Sequence, residues 1–179
     1  MIKRNVVTLL LGCSLVLASL TSTMNVHAAD PYLGSGMPKC KFSVKFGANY
    51  NSNWTTYLNN SIGAWNATST PVVISTSSSA TNVIYAGQYN DSWYGCYIPS
   101  KSGSTVTNFT IKVNSRTISN DATNFANFAQ STTVHEFGHS LNLCDNPSTS
   151  SSSIMKYSRN RNTMTNPQSF DITNVNNYY

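Results

Sequence analysis

Charge is scarce in this chain. Of its 179 residues, 9% are Asp, Glu, Lys or Arg, against roughly 25% in an average soluble protein. Ser, Thr and Asn cover the surface instead, which makes it wet but uncharged. Glutamate occurs once, at Glu136, and histidine only at His27, His135 and His139. A Ser-His-Asp hydrolase would therefore have very few imidazoles to draw on, and no Gly-x-Ser-x-Gly sequence is present to carry its nucleophile. Long apolar runs are also missing downstream of the first twenty residues, where nothing approaches the ~20 residues that a membrane span needs. What remains suits one domain, long enough to bury a core that depends on neither a metal nor a disulfide.

Residues 1–28 read as a signal peptide. Lys3 and Arg4 give a basic start, residues 6–20 an apolar stretch too short to span, and Val26-His27-Ala28 a small-x-small cleavage site. Leu10-Leu11-Gly12-Cys13 also resembles a lipoprotein box, but the apolar run continues past it, where a lipoprotein would turn polar. The expectation is a secreted, extracellular protein with residues 29–179 as its working domain and no stable membrane association once the leader is removed. That domain holds nine Lys plus Arg against six Asp plus Glu, a net charge of about +3, too mild to argue for nucleic acid. Lys156, Arg159 and Arg161 cluster and read as a solvated basic loop. Cys40, Cys96 and Cys144 are an odd number in a compartment that permits disulfides, so one bridge and one free thiol are expected.

Along the chain, residues 40–46 alternate as a strand. Residues 53–66 place Trp54, Leu58, Ile62 and Trp65 at helical spacing as a core stripe. Short strands follow at 72–76 and 82–86, and a longer one at 108–114. Between them, residues 87–104 are aromatic and irregular, as loops lining sites often are. Residues 122–141 can form one long helix with Asn120 or Asp121 as its cap. A last helix is expected from Asn166-Pro167, with Ile172 and Val175 facing inward.

The sequence His135-Glu136-Phe137-Gly138-His139 lies on the final turns of the long helix. Residues four apart stand one above the other, roughly 6 Å apart, so both imidazoles reach one ion. Glu136 points to the flank of that face, where it can act on water as a general base without ligating the metal. This is the zincin arrangement. Among residues 29–179 there is no further histidine and no second glutamate, so a thermolysin-like glutamate ligand is excluded. The third ligand is left to an aspartate, a cysteine or something weaker.

Residues 135–145, His-Glu-Phe-Gly-His-Ser-Leu-Asn-Leu-Cys-Asp, resemble the extended zinc signature of the metzincins, His-Glu-x-x-His-x-x-Gly-x-x-His/Asp, in the aspartate form found in snapalysin. Ser153-Ile154-Met155-Lys156-Tyr157 resembles the Met-turn of that clan. The order of elements is similar, more weakly, to matrixin-like secreted bacterial peptidases. The resemblance implies an α+β fold: a metzincin-like single domain with a small twisted sheet packed on a long helix and an active-site helix, then a Met-turn and a C-terminal helix. It implies a Zn2+ ion on His135, His139 and Asp145, and a secreted endopeptidase that cleaves protein or peptide substrates by a zinc-activated water with Glu136 as general base. Tyr157 stands where astacin- and serralysin-like members carry a tyrosine that hydrogen-bonds the intermediate.

Of the alternative ligands, Cys144 is one residue early and should point elsewhere, while Asp171 reads as a first-turn carboxylate of the last helix. Asn142 occupies the motif's glycine position, where the helix must stop and reverse, and Asn is the non-glycine residue that best tolerates a left-handed backbone. Calcium gains no support: Asp30, Asp91, Asp121 and Asp171 are the only other acids, so any such site would lean on carbonyls. No oligomer is indicated, so a monomer is expected. The contrasting possibility is a catalytically weak or inactive zinc-binding module that keeps the fold in vestigial form.

Overall fold

A computed structural model describes residues 30–47 and 52–179; the leader expected over residues 1–28 lies outside them. The first strand, β1 (Lys41–Phe46), leads to helix α1 (Ser52–Asn66), and β2 (Val73–Thr76) and β3 (Asn82–Gly87) follow. Both pair with β1 in parallel, because a helix or a turn-rich crossover separates them from it and returns the chain in the same direction. Strands β4 (Gly95–Ser102) and β5 (Thr105–Asn114) form a hairpin across Gly103-Ser104. Gly103 has φ +60°, the positive angle that such a tight turn requires of its first residue. The sheet runs β2-β1-β3-β5-β4, with β4 its one antiparallel member.

Period-two alternation on β5 buries Phe109, Ile111 and Val113, and Val106 is buried as well across the irregularity in the β4–β5 pairing at Ser100/Lys101. The stripe of α1, in which Leu58, Ile62 and Trp65 are buried as expected, packs on β2 and on a later helix and belongs to the same core. The Trp65 indole N–H donates to the Val134 carbonyl at 2.9 Å. This bond ties α1 to α3 (Phe125–Ser140), the helix that carries the histidines. The sheet, the two helices and the C-terminal α4 (Ser169–Tyr178) give the mixed α and β single-core fold expected from the sequence.

Several expectations are corrected. The helix expected over residues 122–141 is α3, which starts only at Phe125 and is capped by Asn124 rather than by Asn120 or Asp121; those two residues end a separate helix, α2 (Ser115–Asp121), capped by Asn114, with a break between the two helices. The break is held open by Asn162, whose Oδ1 accepts from the backbone N–H groups of Thr123 and Asn124 at 2.9 and 2.8 Å. Residues 87–104 are not all irregular, since β4 occupies their second half. As an edge strand β4 tolerates Pro99 and lacks a clean alternation. The last helix starts at Ser169, two residues beyond Pro167; there the Asp171 carboxylate accepts from the Gln168 N–H at 2.8 Å. Cys40, Cys96 and Cys144 are all free thiols, so the expected bridge does not form. Among the described residues no helix is long and apolar enough to cross a membrane.

Candidate metal centre

Helix α3 brings His135, Glu136 and His139 to its buried face, and it can approach its floor closely because Gly138 carries no side chain. A Cβ there would run into the Met155 sulfur. The His135 Nδ1 lies 3.0 Å from the Ile154 carbonyl, and the His139 Nδ1 lies 2.9 Å from the Leu143 carbonyl. A carbonyl oxygen can only accept, so each ring carries its proton on Nδ1 and turns Nε2 inward.

The Ile154 carbonyl is itself held in place. Asp171 accepts from the Ile154 N–H at 2.8 Å and from the Ser153 hydroxyl at 2.6 Å, and Ser153 Oγ in turn accepts from the Met155 N–H at 3.0 Å. Asp171 therefore stays out of the histidine cluster, as expected, yet it anchors the segment that orients His135.

Beyond Ser140 the helix closes in a Schellman motif: Leu143 N–H donates to the Gly138 carbonyl and Asn142 N–H to the His139 carbonyl. That closure requires a left-handed residue, and Asn142 takes it, with φ +71°. Its side chain adds what glycine lacks, since Oδ1 accepts from Ser35 and Gly36 N–H, both at 3.1 Å. These two residues belong to a strap, residues 30–37, that crosses the turn. Leu33 N–H donates to the Asn142 carbonyl at 2.7 Å, and Cys144 N–H to the Pro31 carbonyl at 2.8 Å.

The reversal delivers Asp145 to the histidines. Its Oδ1 stands 3.0 Å from His135 Nε2 and 3.5 Å from His139 Nε2. Burial lowers the His135 pKa to about 4, so this ring is neutral at pH 7. The carboxyl of Asp145, despite burial, is held well below the usual carboxylate range by the two histidines, and the influence of Asp145 raises His139 against burial. A neutral Nε2 lone pair facing a carboxylate oxygen at 3.0 Å is a repulsive contact between two acceptors unless a cation lies between them.

The donor set fits zinc. Bonds of about 2.0–2.1 Å at tetrahedral angles put ligand atoms roughly 3.4 Å apart, and two imidazoles with one carboxylate leave the fourth position open. All three candidate ligand atoms lie within 4.8 Å of one another.

Glu136 is packed beside this cluster against the start of β4, where a Cβ on Gly95 would run into its carboxylate. Burial pushes its carboxyl up to about 7. A cavity of about 510 Å³ opens over the group; Tyr157, 57% exposed, stands at its edge. Trp93 and Tyr94, from the aromatic stretch expected to line a site, do line it, whereas the lining by Thr132, Arg159 and Arg161 is not anticipated from the sequence. The basic loop expected to be solvated is not, for Arg159 is buried and Arg161 half-buried. Their clustering was visible in the sequence; their burial depends on partners distant from them in the chain.

No protein-family model matches the chain, and neither does any curated protein. Solved structures share its fold. The GM1-bound form of the ECX AB5 holotoxin is 15% identical with a TM-score of 0.55, over 77% of this chain and 79% of that one. Myroilysin is 11% identical with a TM-score of 0.54, over 81% and 82%. High choriolytic enzyme 1, a hatching-enzyme zinc-protease from the medaka fish Oryzias latipes, is 12% identical with a TM-score of 0.51, over 77% and 88%. At such identities the likeness is one of fold alone.

Proposed function

We propose that the chain is a secreted zinc-dependent endopeptidase whose catalytic domain spans residues 29–179. The observation that carries this reading is the convergence of His135 Nε2, His139 Nε2 and the Asp145 carboxylate beside a buried Glu136 in one open cavity. Zinc held by those three side chains would supply Lewis-acid polarisation of a peptide carbonyl and acidify the attacking water.

The chain's own groups do the rest. Glu136 takes the proton of the attacking water on its carboxylate and delivers it to the leaving amine. Burial favours the protonated form of this carboxyl, which helps it hold the proton between the two steps. The Ile154 and Leu143 carbonyls keep the imidazoles aimed, through the Nδ1 protons. Tyr157, at the cavity edge, donates its phenolic proton to the oxyanion as charge develops there. Substrates are peptides or unfolded segments of proteins, and the enzyme acts as a monomer outside the cell.

Metal content and proteolysis of casein, measured together, test the reading. Wild-type protein should carry one zinc and lose activity to a chelator. Glu136→Ala should keep the zinc and less than a few per cent of the activity, whereas Asp145→Ala should lose both. Full metal content in Asp145→Ala would remove that residue from the site, and chelator-insensitive proteolysis would remove zinc from the mechanism.

A further inference from the structure

Two arginines line the cavity that holds His135, Glu136 and Asp145, and among the described residues neither forms an ion pair. Arg159 is only 8% exposed. Its Nε donates to Ser131 Oγ at 3.3 Å and its Nη1 to the Lys156 carbonyl at 2.9 Å. Arg161 lies over the rings of Tyr94 and Phe128, 4.9 and 5.8 Å from their centroids, and donates from Nη1 to the Tyr157 carbonyl at 3.2 Å. These contacts fix both guanidinium groups without using all five N–H donors that each carries.

Among the described residues, the buried side-chain polar atoms that lack a partner are Arg161 Nε and Thr132 Oγ1, and both residues line this cavity. Packing alone accounts for the stacked rings but leaves those two orphans unexplained. A fixed planar fork with N–H donors to spare matches a carboxylate. Locally the charges of Arg159 and Arg161 offset those of Glu136 and Asp145, so a divalent cation on the histidines would turn the cavity towards anions.

We infer that Arg159 and Arg161, with Thr132, form a subsite for a carboxylate carried by the peptide close to the cleaved bond, so that the enzyme selects acidic peptides. The inference rests on the cavity being where a peptide is cut. Two sources could supply the group: an Asp or Glu side chain, or the free end of a peptide.

The test uses fluorescent peptides of one sequence with Glu, Gln or Lys at a scanned position, each with a free or an amidated C-terminus. Cleavage is followed with wild-type enzyme, and binding by anisotropy with zinc-loaded Glu136→Gln protein. Binding of the Glu peptide should exceed that of the Gln peptide by about tenfold or more, the worth of a charged hydrogen-bonded pair. Arg161→Gln and Arg159→Gln should flatten that preference, and Arg161→Glu should turn it towards Lys; thermal melting identifies any variant that fails to fold, and half-exposed Arg161 is the safer site. A preference that follows the free terminus instead of Glu, and falls with the same arginines, supports the subsite with the chain end as its source. Equal binding of all peptides, or a preference that survives both arginine replacements, overturns it. Wild-type enzyme that cleaves nothing, while the Glu136→Gln protein still selects Glu, counts against hydrolysis but not against the subsite.

Discussion

At Asn142 two small effects oppose each other, and their magnitudes decide the outcome. Holding a non-glycine residue at φ +71° costs about 1 kcal/mol, which a glycine would recover. Glycine would also remove the acceptor of the Ser35 and Gly36 N–H groups, each bond worth about 0.5–1.5 kcal/mol. Restoring the motif's glycine is therefore expected to destabilise: Asn142→Gly should lower the unfolding free energy by about 1 kcal/mol in urea, and a more stable variant would show that the strap bonds are worth little. Tyr157 is the other residue whose role turns on one atom. Tyr157→Phe should lower kcat roughly tenfold to a hundredfold with KM and zinc content nearly unchanged, as for one lost oxyanion donor; an unchanged kcat would leave it an exposed aromatic and nothing more.

Between elements, the instructive connection runs from α4 to α3 through a turn. The Asp171 carboxylate holds Ser153 and Ile154, and the Ile154 carbonyl holds the His135 ring. Asp171→Ala should therefore keep a zinc stoichiometry of one while weakening zinc affinity about tenfold to a hundredfold, the usual effect of removing support from behind a ligand. Competition with a chelator measures it, and unchanged affinity would break the chain of support. None of this was readable from the sequence, where Asp171 shows only as a helix-start carboxylate. The pair His135 and His139 was readable, because four-residue spacing on a helix is local, and so was the reversal at Asn142, because the left-handed residue needed there is a local demand. Strand β4 and the break before Phe125 were not. An edge strand need not alternate, and the break is set by Asn162, 38 residues from the backbone N–H of Asn124 it accepts from. Burial of Arg159 likewise depends on Ser131, 28 residues before it in the chain.

For the molecule as a whole, an oxidising compartment permits a disulfide but supplies no geometry for one. Cys40, Cys96 and Cys144 stand free and half-buried, so unfolded protein of residues 29–179 should titrate three thiols, and a reducing agent should leave the melting temperature unchanged. A drop in melting temperature on reduction would reveal a bridge that the fold does not contain. The strap of residues 30–37 carries a further consequence, one of timing. Apart from Tyr97, whose hydroxyl donates to the Ser35 carbonyl, its partners are Ser140, Asn142, Cys144, Asn174 and Tyr179, and a ribosome makes those residues long after the strap. The strap is thus among the first parts of the domain to emerge and among the last to dock. Until residues 140–144 have been synthesised the strap has no turn to close on, and the loop bearing Asp145 lacks its clasp.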